Sequence, residues 1–176
     1  MRNLVQKYGS IFAVAAVIVV LDQWTKSWVR INLPSGATWL PESLLWLSPY
    51  ARIVHWYNTG AAFGMFKDAS MILTILAFVV IGAILFYYPQ VEKDDWLLRL
   101  ALSMQLGGAL GNLVDRLTVG HVTDFISVGN FPVFNIADAS ITIGAVLLFL
   151  SVWFRERAEK KAADQSVDIP GETTGE

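Results

Sequence analysis

No cysteine occurs anywhere in the chain, which excludes disulfides, thiolate metal sites, a cysteine nucleophile and lipid attachment through sulfur. Histidine is nearly as scarce: His55 and His121 are the only two, too few for a metal site built on imidazoles. Charge is thin as well. Asp, Glu, Lys and Arg make up 16% of the 176 residues against 55% hydrophobic ones, a balance that points to an integral membrane protein. The net charge of −2 is concentrated in the tail, where six acids face four bases from Arg155 onward; the remainder is neutral, and nothing in it argues for nucleic acid. Also missing are G-x-S-x-G, H-E-x-x-H, the Walker A loop and the dinucleotide fingerprint, so neither a cofactor nor a metal is expected.

What is present is a set of four apolar runs, each close to the ~20 residues a helix needs to cross a bilayer. The first covers about residues 10–29. It resembles a signal peptide, but no small-x-small cleavage site closes it, so it reads as an uncleaved transmembrane helix. Near its far end Asp22 and Lys26 stand at i and i+4 in the favourable acid-first order. A structural ion pair and a strut beneath a site are both open readings for them. The second run, about 69–88, is almost free of polar groups and ends at Pro89. The third, about 96–114, turns small at Gly107, Gly108, Ala109 and Gly111, where the small-xxx-small pair Gly107/Gly111 lets a neighbouring backbone approach closely. Gln105 is expected to make an interhelical hydrogen bond. The fourth run covers about 135–154, and the polar segment after it is expected to be disordered.

Residues 30–68 do not read as a span, because Pro34, Pro41, Pro49 and three glycines interrupt them. Trp39, Leu44, Leu45, Trp46, Trp56 and Tyr57 suit them to the bilayer interface. Strand-forming pieces are expected at residues 44–47 and 53–57, followed by a small-residue turn at Asn58. Lys and Arg near the helix ends favour a topology with both termini cytoplasmic.

The polar residues that remain gather between 107 and 138. Asn112, Asp115, Arg116, Asp124, Asn135 and Asp138 are flanked by apolar runs, where an ionised side chain costs about 2.5–3.5 kcal/mol even on a lenient scale. Asn112, Asp115 and Arg116 fall at i, i+3 and i+4 on one helix face. Asp124 lies in a loop of about twenty residues, and Asn135 and Asp138 share a face in the first turn of the fourth helix. Two carboxylates held close in a low-dielectric pocket share a proton, which supplies one acid and one base. Such a pair can activate water and polarise a scissile carbonyl. Asp115, beside Arg116, is read as the permanently charged member, which leaves Asp124 and Asp138 as the working pair. Two other readings stay open from the residues alone: helix-end charges that merely stabilise a bundle, and a proton or ion translocator using Asp22, Asp115, Asp124 and Asp138. A serine–lysine dyad has only Ser127 and Ser140 to draw on within the cluster.

Five blocks in order, LDQWTK (21–26), NTGAAFG (58–64), GGALGNLVDR (107–116), VTDFI (122–126) and FNIAD (134–138), together resemble the bacterial lipoprotein signal peptidases, signal peptidase II. The resemblance implies an all-α membrane protein of four transmembrane helices with a small extracytoplasmic β-cradle and a short interfacial helix. The peptidase domain would be residues 1–154, with a cytoplasmic tail at 155–176. It further implies a multi-pass aspartic endopeptidase of the bacterial inner membrane that acts on diacylglyceryl-modified prolipoproteins; among its partners only substrate and membrane lipids are expected, with the protein itself a monomer. Such an enzyme cuts before the lipidated cysteine and is blocked by globomycin. On this resemblance Asp124 and Asp138 are the catalytic pair, while Asn58, Gly60, Asn112, Arg116 and Asn135 line the substrate site or hold the pair. Asp22, Lys26, Asp115 and Gly111 support the fold around them.

Overall fold

The computed structural model describes residues 2–60 and 70–167. The chain runs α1 (Arg2–Asn32), β1 (Thr38–Trp39), a 3₁₀ turn (Glu42–Leu47), β2 (Ala51–Asn58), α2 (Ser70–Tyr87), a second 3₁₀ turn (Tyr88–Gln90), α3 (Trp96–Thr118), β3 (Val122–Val128) and α4 (Ile136–Val167). Each of the four helices contains a stretch long and apolar enough to cross a membrane. The small antiparallel sheet has the order β1-β2-β3. A four-helix membrane protein with a small sheet is what the apolar runs and the family resemblance led us to expect.

Helix α3 is the axis of the bundle, packed against α1, α2 and α4. Asp95 caps its start by accepting from the Leu98 N–H at 3.1 Å. At its other end Gly120 takes φ +86 and donates its N–H to Asp115 O at 3.1 Å, a left-handed stop that only glycine adopts without strain. Close packing on α3 depends on its small residues: a Cβ at Gly108 would meet Ala137 O of α4, and one at Gly107 would come within 2.8 Å of Ile18 Cβ of α1. One end of the bundle is filled by an apolar core of Ile11, Ala15, Ile84, Tyr88, Leu98, Leu102 and Leu106. Polar groups collect at the opposite end, beneath the sheet.

Several local expectations change. Residues 44–47 form a 3₁₀ turn and no strand: Pro41 stands at its start, and none of its residues is buried. Strand β2 includes the expected 53–57, and a register shift between Ile53 and Trp56 lets Val54 and His55 both turn inward. The expected loop around Asp124 is strand β3, whose outer edge is sealed by a bridge from Ile126 to Phe134. Helix α1 is longer than its apolar run at both ends, and α4 continues through the polar sequence after Phe154 as far as Val167. Residues 168–176 and the 61–64 part of the NTGAAFG block lie outside the described residues. Gln105 makes no side-chain hydrogen bond among the described residues. Its stem packs where Gly144 leaves room, and the interhelical bond nearby is donated instead by Ser140 Oγ to Met104 O at 2.7 Å.

Candidate active site

The start of α4 is the keystone of the site. Asn135 caps the helix, its Oδ1 accepting from the Asp138 N–H at 2.9 Å while the Asp138 carboxylate accepts from the Asn135 N–H at 3.2 Å. This is a reciprocal capping box, written in the sequence as N-I-A-D. The free amide hydrogens of Asn135 point the other way. Its Nδ2 donates to Asp124 Oδ1 at 2.7 Å and to Asn112 Oδ1 at 3.1 Å. One residue therefore touches both Asp124 and Asp138, although fourteen positions separate them in the chain.

Each carboxylate has a second amide partner. Asn58, at the end of β2, donates to Asp124 Oδ2 at 2.8 Å, and Asn112 of α3 donates to Asp138 Oδ1 at 2.7 Å. Asn58 Oδ1 also accepts from the Gly60 N–H at 3.0 Å, which holds the turn after β2 against the site. Asp124 is 1% exposed, whereas Asp138 is half-buried and faces a cavity of about 520 Å³. Asn58, Gly60, Asn112 and Arg116 line that cavity with Asp138, and its remaining walls are mainly apolar residues of α2, α4 and the 131–134 segment. Burial, reinforced by the neighbouring charge of Asp138, pushes the Asp124 carboxyl up to about 7 despite the bonds from Asn58 and Asn135.

A second polar layer lies directly beneath. Lys26 is fully buried, with Nζ 2.8 Å from Asp22 Oδ2, 3.3 Å from Asp115 Oδ2 and 3.0 Å from Asn112 Oδ1, so all three ammonium hydrogens have an acceptor. Gly111 makes room for this layer, since a Cβ there would sit 2.7 Å from Asp22 Oδ2. Sequence reasoning missed three members. Arg30 Nη1 donates to Asp115 Oδ1 at 3.2 Å and to Thr123 Oγ1 at 3.0 Å, and Gln23 Nε2 donates to Asp22, Asp115 and Gly111 O. Arg30 stood out in sequence only as a topology marker at a helix end. Its partner is 85 residues away, and no local spacing announces it. The pairing expected from adjacency, Asp115 with Arg116, does not form. Successive helix positions diverge by about 100°, so Asp115 turns inward to Lys26 and Arg30 while Arg116 turns to the cavity. There Arg116 forms no ion pair among the described residues. No three His, Asp or Glu side chains among the described residues are grouped as a metal ion would need.

The sequence that carries these residues is matched by a known family. The family described as Signal peptidase (SPase) II matches residues 14–154, a stretch containing every residue of both polar layers. The chain belongs to the signal peptidase II family. Among relatives, a lipoprotein signal peptidase of Halalkalibacterium halodurans is 37% identical over 155 residues, covering 85% of this chain and 96% of that protein. One from Acinetobacter baumannii is 37% identical over 158 residues, covering 85% and 86%. A bacterial membrane enzyme solved by the in meso method at 2.3 Å resolution superposes with a TM-score of 0.74 at 26% identity, covering 96% of this chain and 95% of its own. A second such enzyme, at 1.9 Å resolution, gives 0.72 at 28% identity over 82% and 92%. This signal peptidase II homologue is thus a multi-pass bacterial membrane protein and a peptidase by family, with its polar residues collected at one end of the bundle.

Proposed function

We propose that the protein is an aspartic endopeptidase that removes signal peptides from diacylglyceryl-modified prolipoproteins, cutting before the lipidated cysteine, with Asp124 and Asp138 as its catalytic pair. The observation that carries this reading is the double grip of Asn135, which touches both carboxyl groups with one side chain and one backbone amide. Burial pushes the Asp124 carboxyl up to about 7, so it can carry a proton near neutral pH, and Asp138 serves as the general base. Asp138 takes a proton from water as the water attacks the scissile carbonyl, and the Asp124 carboxyl donates its proton to the developing oxyanion. In the return step the gem-diol loses its proton to the pair, the C–N bond breaks, and the nitrogen leaves as an amine carrying the proton from Asp138. Asn58, Gly60, Asn112, Asn135 and Arg116 hold the pair and the peptide, with Arg116 facing the polar part of the substrate. Asp22, Lys26, Asp115 and Gly111 support them.

The enzyme domain spans residues 1–154, and residues 155–176 form a cytoplasmic tail that begins as a helical extension. Both termini lie in the cytoplasm and the site lies near the outer face of the inner membrane, where the exposed Trp39, Trp46 and Trp56 meet the bilayer interface. Globomycin competes with substrate at this site, and one protomer suffices. An ion pathway built from the same acids would need polar groups throughout the bundle, whereas its other end is filled by apolar side chains. The test is cleavage of a diacylated prolipoprotein in detergent micelles. Asp124→Asn and Asp138→Asn each retain substrate and globomycin binding and lose turnover; turnover by either variant overturns the reading.

A further inference from the structure

The ion layer beneath the site is built to a pattern that support alone does not require. Asp22 and Asp115 each contact Lys26, and each also accepts a backbone N–H from the residue immediately before a site aspartate. Asp22 Oδ1 takes the Ala137 N–H at 3.0 Å, next to Asp138, and Asp115 Oδ2 takes the Thr123 N–H at 2.9 Å, next to Asp124. Arg30 doubles the second grip, donating to Thr123 Oγ1 and to Asp115 Oδ1. Apart from the partly exposed Arg30, the residues concerned are deeply buried: Asp22, Lys26, Asp115, Thr123 and Ala137 are each 0% exposed. A single ammonium group is thereby tied through two carboxylates to the two peptide units that carry Asp124 and Asp138.

From this geometry we infer that Lys26 is a positioning residue for the reaction, acting through Asp22 on Ala137 and through Asp115 on Thr123 to set the separation of the Asp138 and Asp124 carboxyl groups. A water can bridge two carboxyl groups only at hydrogen-bond reach of both, and a displacement near 1 Å lowers rates about 100-fold. Strand β3 and helix α4 have no covalent link shorter than the turn between them. The amide bridges from Asn135 fix direction, while the yoke beneath fixes distance. Lys26 also donates to Asn112 Oδ1, so the residue that orients Asp138 is referred to the same centre.

This inference rests on the aspartic reading above, and its test separates the two. We would measure kcat and KM for a diacylated prolipoprotein with Lys26→Met, Asp22→Asn and Asp115→Asn, each beside its thermal unfolding in the same detergent and assayed well below its melting temperature. The two Asp→Asn changes are isosteric and keep an oxygen for the Ala137 or Thr123 amide, so they report on the yoke even where Lys26→Met does not fold. Leu102→Ala, in the apolar core at the far end of the bundle, is the reference for lost stability alone. The expected result is a kcat lower by about 100-fold in the yoke variants with KM within about threefold, while Leu102→Ala at a matched melting temperature keeps its kcat. Folded yoke variants with the parent kcat, or a kcat loss that Leu102→Ala reproduces, would overturn the yoke. Turnover by Asp124→Asn or Asp138→Asn would instead overturn the aspartic reading itself.

Discussion

Two polar layers lie one above the other in this molecule, and they treat their carboxylates in opposite ways. In the lower layer Asp22 and Asp115 are each in ion-pair contact with a cation, Lys26 or Arg30. In the upper layer Asp124 and Asp138 are held by Asn58, Asn112 and Asn135, and no cation lies within ion-pair distance of either among the described residues. Amides fix the place of a carboxyl group without adding a charge beside it, whereas a neighbouring cation fixes its place and also favours its ionised form. The difference teaches why the site needs so many asparagines. On the proposed mechanism, a proton that must be passed back and forth sits on groups whose neighbours are polar and uncharged, above a layer whose carboxylates already have cations beside them.

The largest expected effect comes from removing the adjustable proton. Asp124→Asn and Asp138→Asn should each lower kcat by about 10³-fold or more, within the range of combined acid and base contributions, with the fold retained. Asp124→Asn should also change how stability varies with pH. Folded Asp124 keeps its proton up to about 7, while an unfolded aspartate releases it near 3.8, so between those values the folded state binds more protons and stability falls as pH rises. Thermal unfolding from pH 4.5 to 8 should show a shallower decline in the variant.

Next in size is the removal of a fixed charge from the lower layer. Lys26→Met leaves Asp22 and Asp115 buried with less compensation and should cost about 3–5 kcal/mol, the usual penalty for breaking a buried pair from one side, read as a lower melting temperature in detergent. Making the upper layer resemble the lower one should be costly in rate and not in stability. Asn58→Lys would set a cation against Asp124, hold it ionised and reduce kcat at pH 7 by about 100-fold, with the acidic side of the profile least affected. The smallest change is Asn58→Ala. It deletes a hydrogen bond that favours ionised Asp124, so the alkaline limb of the pH–rate profile, expected near 7, should move upward by about half a unit.

Much of this was visible in the residues before any coordinates. Four spans follow from four apolar runs, and N-I-A-D already places Asn135 and Asp138 together in a first helical turn. What could not be read were the contacts that depend on elements meeting end to end. VTDFISV lacks clean alternation because successive residues of β3 are buried where the strand meets the ends of α1 and α3, so its pattern reads as loop. Arg30, Gln23 and Thr123 are ordinary residues in their local sequence. They acquire roles only when the outer end of α1 arrives beside Asp115 and β3. Adjacency in the chain suggests pairing Asp115 with Arg116, but helix geometry sends adjacent side chains in different directions.

One feature of the helix packing reaches beyond the chemistry. Helix α2 packs on α3 and has no packed interface with α4 among the described residues, and the cavity beside Asp138 is walled by Leu73 on one side of that gap and by Ile141 and Ile143 on the other. On the proposed function, drawing the two acyl chains of the substrate out of the bilayer would cost about 0.8 kcal/mol for every methylene. On that reading a doorway in the lipid-facing wall would remove the toll: the anchored polypeptide would drift sideways within the sheet of lipid and meet the blade at its own depth, its tails never touching water.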